Sequence, residues 1–240
     1  MSLQCPAIFA DHPELCRAID HYCERTTPDL DAELVNAFTN AAFLIGAWLA
    51  WRLQARQPAS MAKPLIQTLI VAMAVVGLGS FLFHTVGTRW AEWGDVVPIL
   101  AFMLLYLWFA LTYLFHWPSP WAALALAVFF VATFMLEAAV PGDVLWGGAL
   151  FIPTILVFIV IGATLKRRGH PAAKAMLGAI AMFFLAFTAR SSDMPVCEAF
   201  PLGTHFLWHL LNATLLYLLV RLAILNVPVG TSRAQAQLPV

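Results

Sequence analysis

The sequence predicts an all-α fold: a bundle of seven membrane-spanning helices, with the N-terminus outside and the C-terminus in the cytoplasm. Three observations predict it. The first is composition. Of 240 residues, 62% are hydrophobic and 11% are charged, and the mean hydropathy is +0.82. A soluble domain is about half apolar and about a quarter charged, so this chain lacks the solvated groups to cover a water-facing surface. The second is segmentation. Apolar stretches close to the roughly 20 residues that a spanning helix needs run over 34–53, 65–85, 95–115, 121–139, 144–165, 172–189 and 204–225. The third is charge. With seven spans, one side carries Arg17, Arg25, Arg89 and Arg190. The other carries Arg52, Arg56, Lys63, Lys166, Arg167, Arg168, Lys174, Arg221 and Arg233. The richer side is cytoplasmic by the positive-inside rule. The formal net charge of zero gives no basic face for nucleic acid, and no obligate protein partner is evident.

Along the chain, residues 1–33 form a polar, acidic, extracytoplasmic segment. Met1 to Leu15 has no basic stretch followed by an apolar core, so no cleavable signal peptide is read there. Residues 34–225 form the seven-helix unit. Short polar or Pro-containing breaks divide it: Arg56-Gln57-Pro58, Trp117-Pro118-Ser119-Pro120, Val140-Pro141-Gly142-Asp143 and Lys166-Arg167-Arg168-Gly169. Pro98 suits a first turn of span 3, where a missing N–H costs little. Residues 226–240 hold Pro, Gly, Gln and Arg and read as a disordered cytoplasmic tail. All 13 acids lie on the outer side or near the outer ends of spans, and so do the four cysteines.

Ionisable and polar groups inside a membrane are costly and mark function by default. Ser80 and His84 stand four apart at the outer end of span 2. Asp95 opens span 3. His205 and His209 stand four apart at the start of span 7. Residues four apart share a helix face, and the topology brings all five to one depth in the outer half of the bilayer. Three histidines suit a catalytic zinc site, with three protein ligands and an open position. Zinc lowers the pKa of water and polarises a carbonyl. Asp95 is then the candidate general base, or a partner of a ligand histidine. Ser80 is the candidate oxyanion donor. Phe81, Phe83, Trp93 and Trp208 are candidate walls of an apolar substrate pocket, although packing or interfacial anchoring is the commoner role of membrane aromatics.

Together these blocks resemble the alkaline ceramidase family, within a wider group of seven-span zinc-dependent hydrolases that includes the adiponectin-receptor-like proteins. The resemblance covers about residues 20–225. It rests on Tyr22-Cys23-Glu24-Arg25, Glu33 with Asn36 and Asn40, Gly79-Ser80 through His84, Asp95, Asp193 through Cys197-Glu198, and His205 with His209. It implies zinc on His84, His205 and His209, with Ser80 and Asp95 beside it. It also implies a calcium site in the first segment, matched by Glu24 and Glu33, and by Asp20 with a one-residue shift; Thr26 stands where animal members have Asn. It implies a disulfide between Cys23 and Cys197, leaving Cys5 and Cys16 as a second pair by parity alone. The implied activity is hydrolysis of ceramide-like lipids to a sphingoid base and a fatty acid. The Tyr22–Arg25 block resembles bacterial members, which points to a bacterial inner membrane, or to an ER- or Golgi-type membrane in a eukaryote. Two other readings stay open. One is a related hydrolase of another lipid amide or ester. The other is a non-enzymatic seven-span receptor or transporter. A retinal protein would need a lysine in span 7, but the last lysine is Lys174.

Overall fold

The structure, a computed structural model, describes residues 5–141 and 148–227. Among these, seven helical segments are long and apolar enough to cross a membrane: Leu34–Ala55, Lys63–Val86, Arg89–Leu114, Ser119–Ala139, Ala149–Arg167, Ala173–Ser192 and His205–Leu225. The chain is an integral, multi-pass, all-α membrane protein. Beyond helices, the described residues hold one isolated β-bridge, Ala18 with Thr88. Residues 144–147 of the expected fifth span and residues 228–240 of the expected tail lie outside the described residues.

The first span is two helices, α1 (Leu34–Thr39) and α2 (Ala41–Ala55), meeting at Asn40. The others are α3 (Lys63–Val86), α4 (Arg89–Phe109), α5 (Ser119–Ala139), α6 (Ile152–Arg167), α7 (Ala173–Ser192) and α8 (His205–Leu225). A π-turn over Ala110–Leu114 extends α4. The third span starts six residues earlier than the apolar stretch suggests. Arg89 donates to Glu92 one turn on at 2.5 Å, so charged residues complete the first turn of a helix rather than a loop. Pro98 consequently lies inside α4, not in its first turn. Lacking an N–H, it cannot bond the Gly94 carbonyl four residues back.

Burial ranks the helices. The apolar window of α8 is 61% buried and that of α5 only 17%, so α8 is the central helix and α5 the lipid-facing one. A helix that is apolar all round belongs inside a bundle, and α8 packs against α2, α3 and α7. Val128, Val131, Phe134 and Met135 on α5 are exposed, as a lipid solvent permits.

The N-terminal segment is tied down over the C-terminal end of α3 and the N-terminal end of α8. The Ile19 N–H donates to the Gly87 carbonyl at 2.8 Å and the Arg89 N–H to the Arg17 carbonyl at 3.0 Å. Disulfides join Cys5 to Cys16 and Cys23 to Cys197. The second fixes the segment to the loop before α8, closing 174 residues of sequence separation.

Candidate metal centre

The bundle brings the C-terminal end of α3 together with the N-terminal ends of α4 and α8. One nitrogen from each of His84, His205 and His209 lies within 4.8 Å of the others. All three side chains are buried, and their ring centroids are 4.6–5.0 Å apart.

Which ring nitrogens face one another follows from the hydrogen bonds. Nδ1 of His84 donates to the Glu33 carboxylate at 2.6 Å, so in the neutral ring Nε2 is the nitrogen that carries the lone pair. Nδ1 of His209 lies 3.0 Å from the Thr39 hydroxyl. That hydroxyl donates to the Val35 carbonyl at 2.8 Å, so it accepts the Nδ1 proton and again leaves Nε2 free. Nε2 of His84, Nδ1 of His205 and Nε2 of His209 are buried without a hydrogen-bond partner, and so is Oδ1 of Asp95. Buried polar atoms are ordinarily paired. Three unpartnered imidazole nitrogens in one group, two of them on rings oriented by hydrogen bonds to Glu33 and Thr39, fit a metal ion.

Glu33 is the anchor of this arrangement. It is 2% exposed and also accepts from Arg25 Nε at 2.5 Å and Asn36 Nδ2 at 3.1 Å. Burial pulls its pKa up, but the hydrogen bonds and charges of His84 and Arg25 outweigh that, and the net shift is below the ordinary carboxylate value. Tyr22 covers the centre from the N-terminal segment. Its ring stacks on His205 at 3.6 Å with a 21° tilt. Burial pushes its phenol up to about 12, so Tyr22 is a neutral cover.

Asp193 sets the position of α8. Its buried carboxylate accepts from the backbone N–H groups of Thr204 at 2.7 Å, His205 at 2.8 Å and Cys23 at 2.8 Å. The start of a helix carries unpaired donors and a positive dipole end, and here one carboxylate satisfies them just where His205 enters the site.

On the α4 side, the Asp95 carboxyl group lies near Ser80, His84 and Arg190. This requires α3 and α4 to approach closely. Gly79 provides the space: a Cβ there would fall on the Gly94 carbonyl oxygen, the same carbonyl that Pro98 leaves without its helical donor. Gly79→Ala should therefore push the two helices apart. The expected cost is about 1–3 kcal/mol, the usual range for overpacking, read as a lower melting temperature. An unchanged melting temperature would refute the close contact.

An apolar cleft lies between the helices, lined by Phe102, Tyr106, Phe151, Trp208 and Leu219 among others. It begins one turn below Asp95 at Ile99, and one turn beyond His205 at Trp208. Of the four aromatic candidates, Trp208 lines it. Phe83 packs with Tyr22, Val86 and Ala91 in a separate outer cluster. Phe81 and Trp93 are 40% and 50% exposed, Phe81 against Phe38. The expected calcium residues do not converge. Both oxygens of Glu24 accept backbone N–H groups, of Val35 at 2.7 Å and Asn36 at 2.8 Å. Glu33 is engaged as described, and Asp20 is exposed. These residues do not fit a calcium ion.

Fold and site together define a polytopic membrane protein with a buried three-histidine group able to hold a metal ion, set above an apolar cleft. The chain matches the family model described as Ceramidase over residues 19–237, and it belongs to that family. It is accordingly a hydrolase that acts on amide bonds, with a lipid substrate. No curated protein matches it.

Proposed function

We propose that this chain cleaves the amide bond of ceramide-like lipids with water, giving a sphingoid base and a fatty acid, at a zinc centre held by His84, His205 and His209. The observation that carries this reading is the set of buried, unpartnered imidazole nitrogens beside an unpartnered Asp95 oxygen. Zinc is the metal that three imidazoles with an open position suit best, and bound there it would polarise the amide carbonyl and acidify water.

The chain's own groups supply the rest. Glu33 and Thr39 hold His84 and His209 in the ligating tautomers. Oδ1 of Asp95 takes the proton of the attacking water and returns it to the nitrogen of the leaving amine. The Ser80 hydroxyl orients that carboxylate, and is a donor for the oxygen on which negative charge develops. Trp208, Phe102 and Tyr106 line the apolar cleft into which one lipid chain would extend. Tyr22 and the disulfide-tied segment exclude bulk water from above. In this reading the N-terminus and all four cysteines face a compartment where disulfides persist, such as the periplasm beside a bacterial inner membrane; protease access to terminal tags checks the orientation.

The test is product release from a series of ceramides by detergent-purified protein, with elemental analysis of the same sample. Free sphingoid base and fatty acid, with one zinc per chain, are expected. Zinc-loaded protein that hydrolyses no lipid amide would sink the reading.

A further inference from the structure

We propose that the Arg25 guanidinium is a built-in cation standing where the family resemblance implies calcium, so that this chain supports its metal-ligand histidine without any divalent ion in the outer segment. The inference concerns the support of the metal centre described above, and its test does not read hydrolysis.

Arg25 is 6% exposed although it carries a permanent charge. A buried charge is tolerated only when paired and hydrogen-bonded. Here Nε donates to Glu33 at 2.5 Å, one terminal nitrogen to the carbonyls of Thr27 at 3.4 Å and Asp29 at 3.3 Å, and the other to the His84 carbonyl at 2.9 Å. The acceptors are one carboxylate and three backbone carbonyls. That all-oxygen set is the ligand type of a hard cation such as calcium. The cradle is shaped for a flat group. Gly87 has φ +62°, and a Cβ there would lie 2.6 Å from the guanidinium carbon and 2.7 and 2.9 Å from the terminal nitrogens.

The two cations are mutually exclusive. They would compete for the Glu33 carboxylate, the one group common to both sets, and repel each other, and a guanidinium cannot be deprotonated to make way. Through Glu33 the guanidinium reaches Nδ1 of His84, and through its terminal nitrogen the carbonyl of the same residue. Arg25 is thus a positioning residue, holding a metal ligand by its side chain and its backbone at once. Its charge does not depend on free calcium, whereas an ion-based clasp would.

The experiment uses the full-length, detergent-purified protein and two probes, calcium and terbium. Melting curves are recorded in EGTA and in millimolar calcium, and terbium luminescence is titrated. Wild type is expected to show no melting shift and no saturable terbium signal. Arg25→Ala empties the cradle but leaves its oxygens, so it is expected to gain calcium stabilisation of several degrees and a saturable terbium signal. Arg25→Lys retains the charge and is expected to stay calcium-insensitive. Stabilisation of wild type by calcium overturns the proposal. So does a folded Arg25→Ala that ignores calcium. If Arg25→Ala does not fold in EGTA, it is prepared in millimolar calcium; recovery there is the expected result, and continued failure overturns the idea. Amidase activity can be present or absent in every arm without altering these outcomes.

Discussion

His209→Ala is expected to lose bound metal and amide hydrolysis together. The residue is 1% exposed on the central helix, and its Nε2 has no partner in the protein. Removing it leaves two histidines, one short of the three protein ligands of a catalytic zinc centre. It also frees Thr39, whose hydroxyl otherwise receives the Nδ1 proton. Loss of an outer partner of a ligand typically costs about 10–100-fold in metal affinity or activity. Loss of the ligand itself should exceed the upper end of that range. Elemental analysis and product release on the same preparation give the answer, with a melting curve to confirm folding. A folded His209→Ala that keeps its metal and its rate would remove the proposed centre.

Much of this architecture is legible in the sequence because a membrane simplifies the reading. Backbone groups in lipid must be satisfied within the segment, so a long apolar stretch means a helix, and helical periodicity then places His205 and His209 on one face. The same logic joins Ser80 to His84. The boundary of the third span was harder to read, because Arg89 and Glu92 look like loop residues until their ion pair makes them a helical turn. The supports of the site were less legible still. Thr39 reads as an ordinary hydroxyl bonding its own helix, and it does so, but it also orients a histidine 170 positions away in sequence. Asp193 caps α8 from eleven residues upstream, outside any local capping pattern. Arg25 belongs to a recognisable block, yet only its three-dimensional ring of oxygens shows what its charge meets. Pairings made by tertiary contact leave no periodic trace.

Asp95→Asn should separate metal binding from proton transfer. The substitution keeps the shape of the side chain and leaves the Gly79–Gly94 contact untouched, so α3 and α4 should stay in register and the three histidines should retain their metal. An amide cannot take up the proton of an attacking water, and the neighbouring carboxylates among the described residues are engaged elsewhere: Glu33 with Arg25, Asn36 and His84, Asp193 with the start of α8, and Glu92 with Arg89 and His21. Loss of a positioned acid–base group typically costs about 10²–10⁴-fold, and a fall in that range with zinc content unchanged is the expected result. Unchanged turnover would exclude Asp95 as the base. Loss of zinc along with activity would instead make the carboxylate a ligand, and its unpartnered Oδ1 a fourth donor to the ion. The pair of measurements therefore assigns the role of Asp95, because a base and a ligand lose activity alike but differ in what they do to the metal.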